Sequence, residues 1–575
     1  MKKIIFSVAL LSAGMMFTSC SEDLLDQEKK GVIPVEAFYQ TDEDAQSARN
    51  AMYAKFTGEI AGTEGIWNSY IMGLNYSADD VFSAGGDMND HADFRVVDEM
   101  TYSASSAPIR VLYSHLYKAI YSANLIITNV KPDSEVKKRA IAEARVLRAW
   151  AHMVAAQVYY QPPLIDRIYL PGDEITNDIS HEEILKWCAS EAEAAAAELP
   201  ERKSKDDKEG AWIVTKGFAQ FVAAKSALFL GDYQRCANDI KPLVESDKYA
   251  LVPGEKFRDL FHVEGDGCSE KIFEFNFTAN TALGGTWGGS IQRGRWMVAN
   301  VLNWRSDDIE GGGESCKLSS NNGWGGGSIN QDFAHKMLDN DGDSYRRKAT
   351  FLTSDEFFYD GTLCPWKQDV QDGKELTLEE KKFDPKRGIK KTAGSFSRSD
   401  VMEIKMMMHP NDAGEVGNTN NNTNMCIARL AEAYLIYAEA CIQTNQLDEA
   451  KKYINKIQER AGSKTISETV NMQVLQDEKQ YELWFEGCRW LDLVRWGIAK
   501  QCYDKVLDNI PLQFDEYFTS GGTKPHKLTY KISHPHKDVN ITLEFVEGKN
   551  EYWPIPQSEI DLNPGMHQVY GAWKK

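Results

Sequence analysis

Between Asn424 and Gly497 the chain carries two helical stripes separated by three residues, and that spacing limits how it can fold. Ile427, Leu430, Ala431, Tyr434, Leu435, Ala438, Cys441 and Ile442 recur with the ~3.6-residue period of a buried helix face. Thr444, Asn445 and Gln446 interrupt it. Leu447, Ala450, Tyr453, Ile454 and Ile457 begin a second stripe, and Gly462 supplies its C-cap. Two amphipathic helices joined by so short a link pack antiparallel, as a tetratricopeptide-type hairpin does.

The same arrangement recurs upstream. Gly231-Asp232-Tyr233-Gln234-Arg235-Cys236 and Asn445-Gln446-Leu447-Asp448-Glu449-Ala450 share one pattern: a turn, a large apolar residue, two polar residues and a small one. The small residue lets paired helices approach closely. Thr41 is an N-cap with acids in the first turn, and Ala48, Met52 and Phe56 form that helix's face. Further helices are expected from Pro108 to Val130, from Pro132 to Tyr160, from Ser180 to Leu199, from Thr215 to Leu230 and from Gln234 to Ser246. About four hairpins sharing one core follow. Strand-like runs are short: Lys271 to Phe277, and Val401 to Met407.

The first twenty residues are a processing segment. Lys2 and Lys3 precede an apolar run from Ile4 to Phe17, which is too short to span a bilayer. Thr18-Ser19-Cys20 then places a cysteine after small residues, so residues 1–19 read as a lipoprotein signal peptide and Cys20 as the acylated first residue of the mature chain. Several acyl chains, at about 0.8 kcal/mol per buried methylene, anchor a protein stably. Residues 20–31 read as a polar surface tether. The nine other cysteines show no CxxC and no Cys/His cluster at zinc spacing, so neither a metal site nor a disulfide framework is expected. The net charge of −20 argues against a nucleic-acid partner.

Several blocks carry a family resemblance. Arg429-Leu430-Ala431-Glu432, Ala438-Glu439-Ala440, Arg460-Ala461-Gly462, Glu482-Leu483, Glu486-Gly487-Cys488-Arg489 and Asp492-Leu493-Val494-Arg495-Trp496-Gly497 resemble the signature run of the SusD/RagB family. Those are surface lipoproteins of Bacteroidota nutrient-uptake systems. Glu143, Arg145 and Arg148 match the family's first long hairpin, and Tyr552-Trp553-Pro554-Ile555-Pro556 through Gly565 resembles its closing motif. One departure is Tyr160-Gln161-Pro162-Pro163, where the family has Tyr-Gly. The acidic Ser21-Glu22-Asp23 resembles the export signal to the outer face of the outer membrane in these bacteria.

The resemblance implies a mainly α fold, a tetratricopeptide-like helical hairpin array with loop-rich inserts and a few short strands. It implies one such domain over 32–575, with scaffold at 32–250 and 424–500, an insert at 260–423 and a closing segment at 501–575. It also implies a SusC-like TonB-dependent transporter as partner, an oligosaccharide ligand and no cofactor. Peptide or glycopeptide binding is the alternative, and a surface glycosidase a weaker one.

No G-x-S-x-G, HExxH or P-loop motif is present. Asp339-Asn-Asp-Gly-Asp-Ser is similar to a calcium loop, but its Gly stands fourth instead of sixth and no Glu follows at the twelfth position, so a turn into Arg346-Arg347 is expected. Arg429, Glu432, Glu439, Glu482, Glu486, Arg489, Asp492 and Arg495 read as ion pairs and caps that dock hairpins, not as catalytic groups. Sugar recognition calls for flat rings for the C–H face and short polar groups for the hydroxyl rim. Ile66 to Asp93 and Gly284 to Gly327 have that composition, outside any helical stripe, and read as exposed irregular structure. The family places its ligand contacts on such inserts, which nominates Trp67, Asn68, Tyr70, Trp287, Arg293, Arg295, Trp296 and Trp324.

Overall fold

Helices follow one another as antiparallel neighbours. The first elements are α1 (Asp42–Phe56), α2 (Ile71–Tyr76), β1 (Val81–Ser83), α3 (Ala92–Asp98), α4 (Ala107–Asn129), α5 (Glu135–Tyr159), α6 (His181–Ala195), α7 (Lys216–Leu230), α8 (Tyr233–Val244) and β2 (Lys271–Phe275). Next come β3 (Gly327–Ile329), α9 (Gln331–Asp341), α10 (Tyr345–Thr350), β4 (Phe351–Thr353), α11 (Ser354–Tyr359) and β5 (Val370–Gln371), then β6 (Lys374–Glu375), α12 (Leu378–Phe383) and β7 (Val401–Glu403). The chain returns through β8 (Met425–Arg429), α13 (Leu430–Gln443), α14 (Leu447–Ala461), α15 (Met472–Glu482), α16 (Arg489–Arg495) and α17 (Ala499–Val506), and α18 (Gln557–Leu562) lies near its end. The computed structural model describes residues 38–61, 70–86, 90–277, 301–302, 323–384, 387, 399–407, 410–412, 423–506 and 543–574, with four two-residue strands between 513 and 533.

Each scaffold helix packs on the next: α1 on α4 and α5, α5 on α6, α6 on α7, α7 on α8, α8 on α13 and α13 on α14. α4 packs on α5 as the first long hairpin, and α7/α8 and α13/α14 are the hairpins of the repeated pattern. Local chemistry fixes the ends. Thr41 with Asp44 and Ser180 with Glu183 form reciprocal capping boxes. Gly231 and Asn445 both take left-handed backbone, at φ 77° and 59°, at matching points of their turns. Cys236 and Ala450, the small residues of the repeated pattern, are fully buried where α8 and α14 each meet α13.

Several expectations are corrected. Residues 425–429 are not the first turn of a helix but strand β8, antiparallel to β2 with Lys271 opposite Arg429 and Phe275 opposite Met425. That ladder joins two segments about 150 residues apart in the chain. Ser134, not Pro132, opens α5, its hydroxyl accepting from the Lys137 N–H. The described part of Ile66 to Asp93 is not exposed irregular structure: α2 and β1 are wholly buried, and Phe94, Val97 and Asp98 of α3 join them in the core. Every residue of α2 is buried, so no polar face exists to produce a stripe. The polar stretch after Ser354 holds a second small core of Leu352, Phe357, Phe358, Cys364, Trp366, Met402, Ile404 and Met407.

The closing motif lies against the helical array. The Trp553 N–H donates to the Val158 carbonyl at 2.8 Å, and its buried indole meets Trp490, Tyr159 and Tyr102. Beyond the prolines the chain does turn helical, as α18, with Pro556 at the N-cap where its missing N–H costs nothing.

Candidate functional site

The charged residues of the motif blocks hold the scaffold together. Arg429 donates to Glu482 at 2.6 Å, to Glu270 at 2.8 Å and to both oxygens of Glu486 at 2.6 and 2.8 Å. Arg346 reaches Asp341, Glu478 and Glu482, and Arg460 bonds Glu270 and Glu482. Arg495 pairs with Glu439 and Asp492, Arg489 with Asp79, and Glu432 with Lys225. All eight motif residues are therefore paired, and these groups are committed to structure. The Asp339–Ser344 turn leads into Arg346 and Arg347 as expected, with Asp341 held by Arg346 at 2.9 and 3.0 Å.

Of the eight sequence-nominated ligand contacts, two fall among the described residues. Cys20, Trp67, Asn68, Trp287, Arg293, Arg295 and Trp296 lie outside the described residues. Tyr70 and Trp324 are described, and both are half-buried. The Tyr70 ring stands edge-on to Trp150 with centroids 5.7 Å apart, and burial pushes its phenol above the usual range. Trp324 packs on the main core beside β3. The two flank α2, which spans about 9 Å at 1.5 Å per residue.

The ends of the nominated segments meet around that helix. On one side, Trp150 contacts Tyr70 and also Phe275, at 5.9 Å, just before residues 278–300. The Phe277 N–H donates to Asn424 Oδ1 at 2.8 Å, which brings in the end of 413–422. On the other side, the Gly326 N–H donates to the Val301 carbonyl at 2.6 Å, closing the base of 303–322. The Tyr76 hydroxyl and the Ala84 N–H donate to the Gly326 carbonyl, at 2.5 and 3.0 Å. Glycine is required at 326, because a Cβ there would lie 2.6 Å from Val301 and 2.8 Å from His91. Antiparallel pairing of Val81 with Ile329 and Ser83 with Gly327 fixes this side.

A cleft of about 320 Å³ opens between the first two roots, where α1 faces the end of β2. Arg49, Asn50, Tyr53 and Thr57 line one wall, and Trp212, Glu274 and Asn276 the other. Trp212 is half-buried, its indole N–H donating to Glu274 at 2.7 Å, while Asn50 and Asn276 are exposed. An aromatic edge among carboxamides suits a hydroxylated ring. Sequence reasoning missed these residues because a polar side chain on the outer face of an amphipathic helix, or just past a strand, looks like ordinary solvated surface. Trp212 next to the charged run 201–209 was the one available signal.

The comparisons with known proteins fit this architecture. A family model described as the SusD family matches residues 296–573. A SusD-like protein of Bacteroides ovatus is 22% identical across 98% of this chain and 97% of its own length. The starch-binding protein SusD of Bacteroides thetaiotaomicron is 35% identical over 20% of each chain. The solved structure of a laminarin binding SusD-like protein superposes with a TM-score of 0.69 at 21% identity, covering 93% of this chain and 100% of that one. The SusD family match thus covers residues 296–573, and the SusD-like relatives and solved structures extend the likeness over nearly the whole chain.

Proposed function

We propose that this chain is a non-catalytic, cell-surface glycan-binding lipoprotein that captures oligosaccharide and hands it to a SusC-like TonB-dependent transporter. The observation that carries this reading is the convergence of segment ends around α2, where described residues flanking 62–69, 278–300, 303–322 and 413–422 bond to or pack on one another or a shared neighbour. The printed names of relatives, one starch-binding and one laminarin-binding, support a glucan or related glycan as ligand. Trp67, Asn68, Tyr70, Trp287, Arg293, Arg295, Trp296 and Trp324 are the proposed contacts. Cys20 is the proposed anchor at the outer membrane, with residues 20–31 as tether. Sharing one membrane with the transporter raises the effective concentration of each for the other, so modest affinity suffices.

Affinity gel electrophoresis against laminarin, starch and other polysaccharides tests the reading. Retention is expected with at least one polymer, without release of reducing sugar. Trp287→Ala, Trp296→Ala and Trp324→Ala are each expected to weaken it by about tenfold, as loss of a buried aromatic anchor does. Wild-type retention by all three variants refutes the site, and binding of peptides but no glycan refutes the ligand class. Cys20→Ala is expected to leave the membrane fraction, and persistence there refutes the anchor.

A further inference from the structure

Beyond the C-terminal end of α2 lies a second pocket, of about 310 Å³, that shares no lining residue with the cleft at the segment roots. It is framed by the turn at Asp79, the start of α9, one face of α15 and the α16–α17 corner. Its charges balance, with Asp79, Asp332 and Asp477 set against Lys336, Arg489 and Lys505. Arg489 grips Asp79 through two bonds of 2.8 and 2.9 Å, and Lys336 donates to Asp477 at 2.6 Å. Gln473 donates to Asp477 at 3.0 Å, and Gln480 accepts from Lys336 at 3.2 Å. Gln476 and Gln501 make no side-chain hydrogen bond to any other described residue. Ile498 and Val506 supply an apolar wall.

We propose that this pocket is a second ligand site, taking one neutral, hydroxyl-rich ring such as a single pyranose. The proposal rests on the reading of the chain as a glycan binder. A free carboxamide offers both a donor and an acceptor, as a sugar hydroxyl does, so Gln476 and Gln501 can each satisfy a hydroxyl in either role. Balanced charges leave no excess of either sign to favour a phosphate, a sulfate or a uronic acid. The volume stands at the lower end of small-molecule sites, which fits one ring and not a chain. The aliphatic wall meets the C–H face of the ring.

Saturation-transfer NMR on the full chain with glucose, galactose, mannose and glucuronate tests this. Transfer to at least one neutral hexose is expected. Binding should weaken about tenfold or more in the double variant Gln476→Ala/Gln501→Ala, from the loss of two carboxamides. Its thermal midpoint and its polysaccharide retention should match wild type. The proposal is overturned if no neutral hexose receives saturation, if glucuronate is preferred, or if the double variant binds hexose as wild type does. The two readings separate cleanly. Polymer retention with unaltered hexose binding in the double variant sinks only the pocket, whereas wild-type protein that retains no polymer sinks the glycan reading itself.

Discussion

Replacing Glu482 by glutamine asks whether the charged motif stabilises the scaffold. The carboxylate is fully buried and accepts from Arg429 at 2.6 Å, from Arg346 at 3.1 Å and from Arg460. Burial alone would raise its pKa, but Arg460, Arg429 and Arg346 together outweigh burial and hold it at about 2, against an ordinary 4.5. At about 1.4 kcal/mol per tenfold change in proton affinity, that depression corresponds to about 3 kcal/mol of stabilisation specific to the charge. The general cost of removing one partner from a buried ion pair, about 3–5 kcal/mol, gives the same scale. Glu482→Gln keeps the shape and removes the charge, so a loss of about 3 kcal/mol at neutral pH is expected. Urea unfolding followed by both tryptophan fluorescence and circular dichroism measures it. Glu135→Gln, which breaks the exposed pair with Lys138, is the control and should leave the midpoint in place. The sign with pH follows from the lowered pKa: the contribution is complete above 4.5 and is lost as pH falls towards 2. The deficit of the variant should therefore shrink on acidification through that window. A deficit below about 1 kcal/mol, or one that stays constant through the window, refutes the argument.

Other perturbations probe the ground beneath the site. Burial, reinforced by Asp79 and opposed by Arg489, pushes the Asp80 carboxyl up to about 7. A raised acid is a source of stability at low pH that disappears as pH rises from 3.8 through about 7, so Asp80→Asn should gain on wild type in urea midpoints at mildly alkaline pH and lose that gain in acid. A Cβ on Gly73 would lie 2.6 Å from the Trp553 ring, so Gly73→Ala should cost about 1–3 kcal/mol by overpacking. Trp553→Ala should cost about 3–5 kcal/mol and release the closing segment, seen as new protease cleavage after residue 550.

The helical pairs were legible because each scaffold helix has one wet face. On α14, Leu447, Ala450, Tyr453, Ile454 and Ile457 alternate with Lys451, Lys452 and Lys456, and the period shows. On α2 every side chain is buried, so the same period is present in space and invisible in sequence. β8 was unreadable for another reason: its partner β2 lies about 150 residues away, and the apolar residues at 425, 427 and 428 suit a strand or a helix equally well. The charged blocks could be recognised as paired, but Glu270, Asp341, Lys405 and Glu478 could not be named as partners, since they come from segments with no shared local pattern. Composition likewise marked the ring-bearing segments without saying how each ring is seated, and Tyr70 shows one such ring half-buried, resting edge-on against core Trp150.

These limits share one cause, and it bears on how the site can work. Lys405, near the exit of the insert, donates to Glu486 at 2.7 Å and to the carbonyls of Glu482 and Trp484, while Glu270, near its entrance, accepts from Arg429 and Arg460, each at 2.8 Å. The Gly487 N–H donates to Asn75 of α2 at 3.0 Å, and the Trp484 indole to the Asp80 carbonyl at 3.1 Å. One buried polar network thus grips both ends of the insert and the short helix around which the nominated segments meet. Rigid roots reduce the ordering cost that binding must overcome. A charge removed from that network should therefore weaken glycan retention even though it touches no sugar. Glu486→Gln is the variant that separates this coupling from direct contact: it should lower polysaccharide retention and stability together, and an unchanged retention in a destabilised protein would show that the roots need no such bracing.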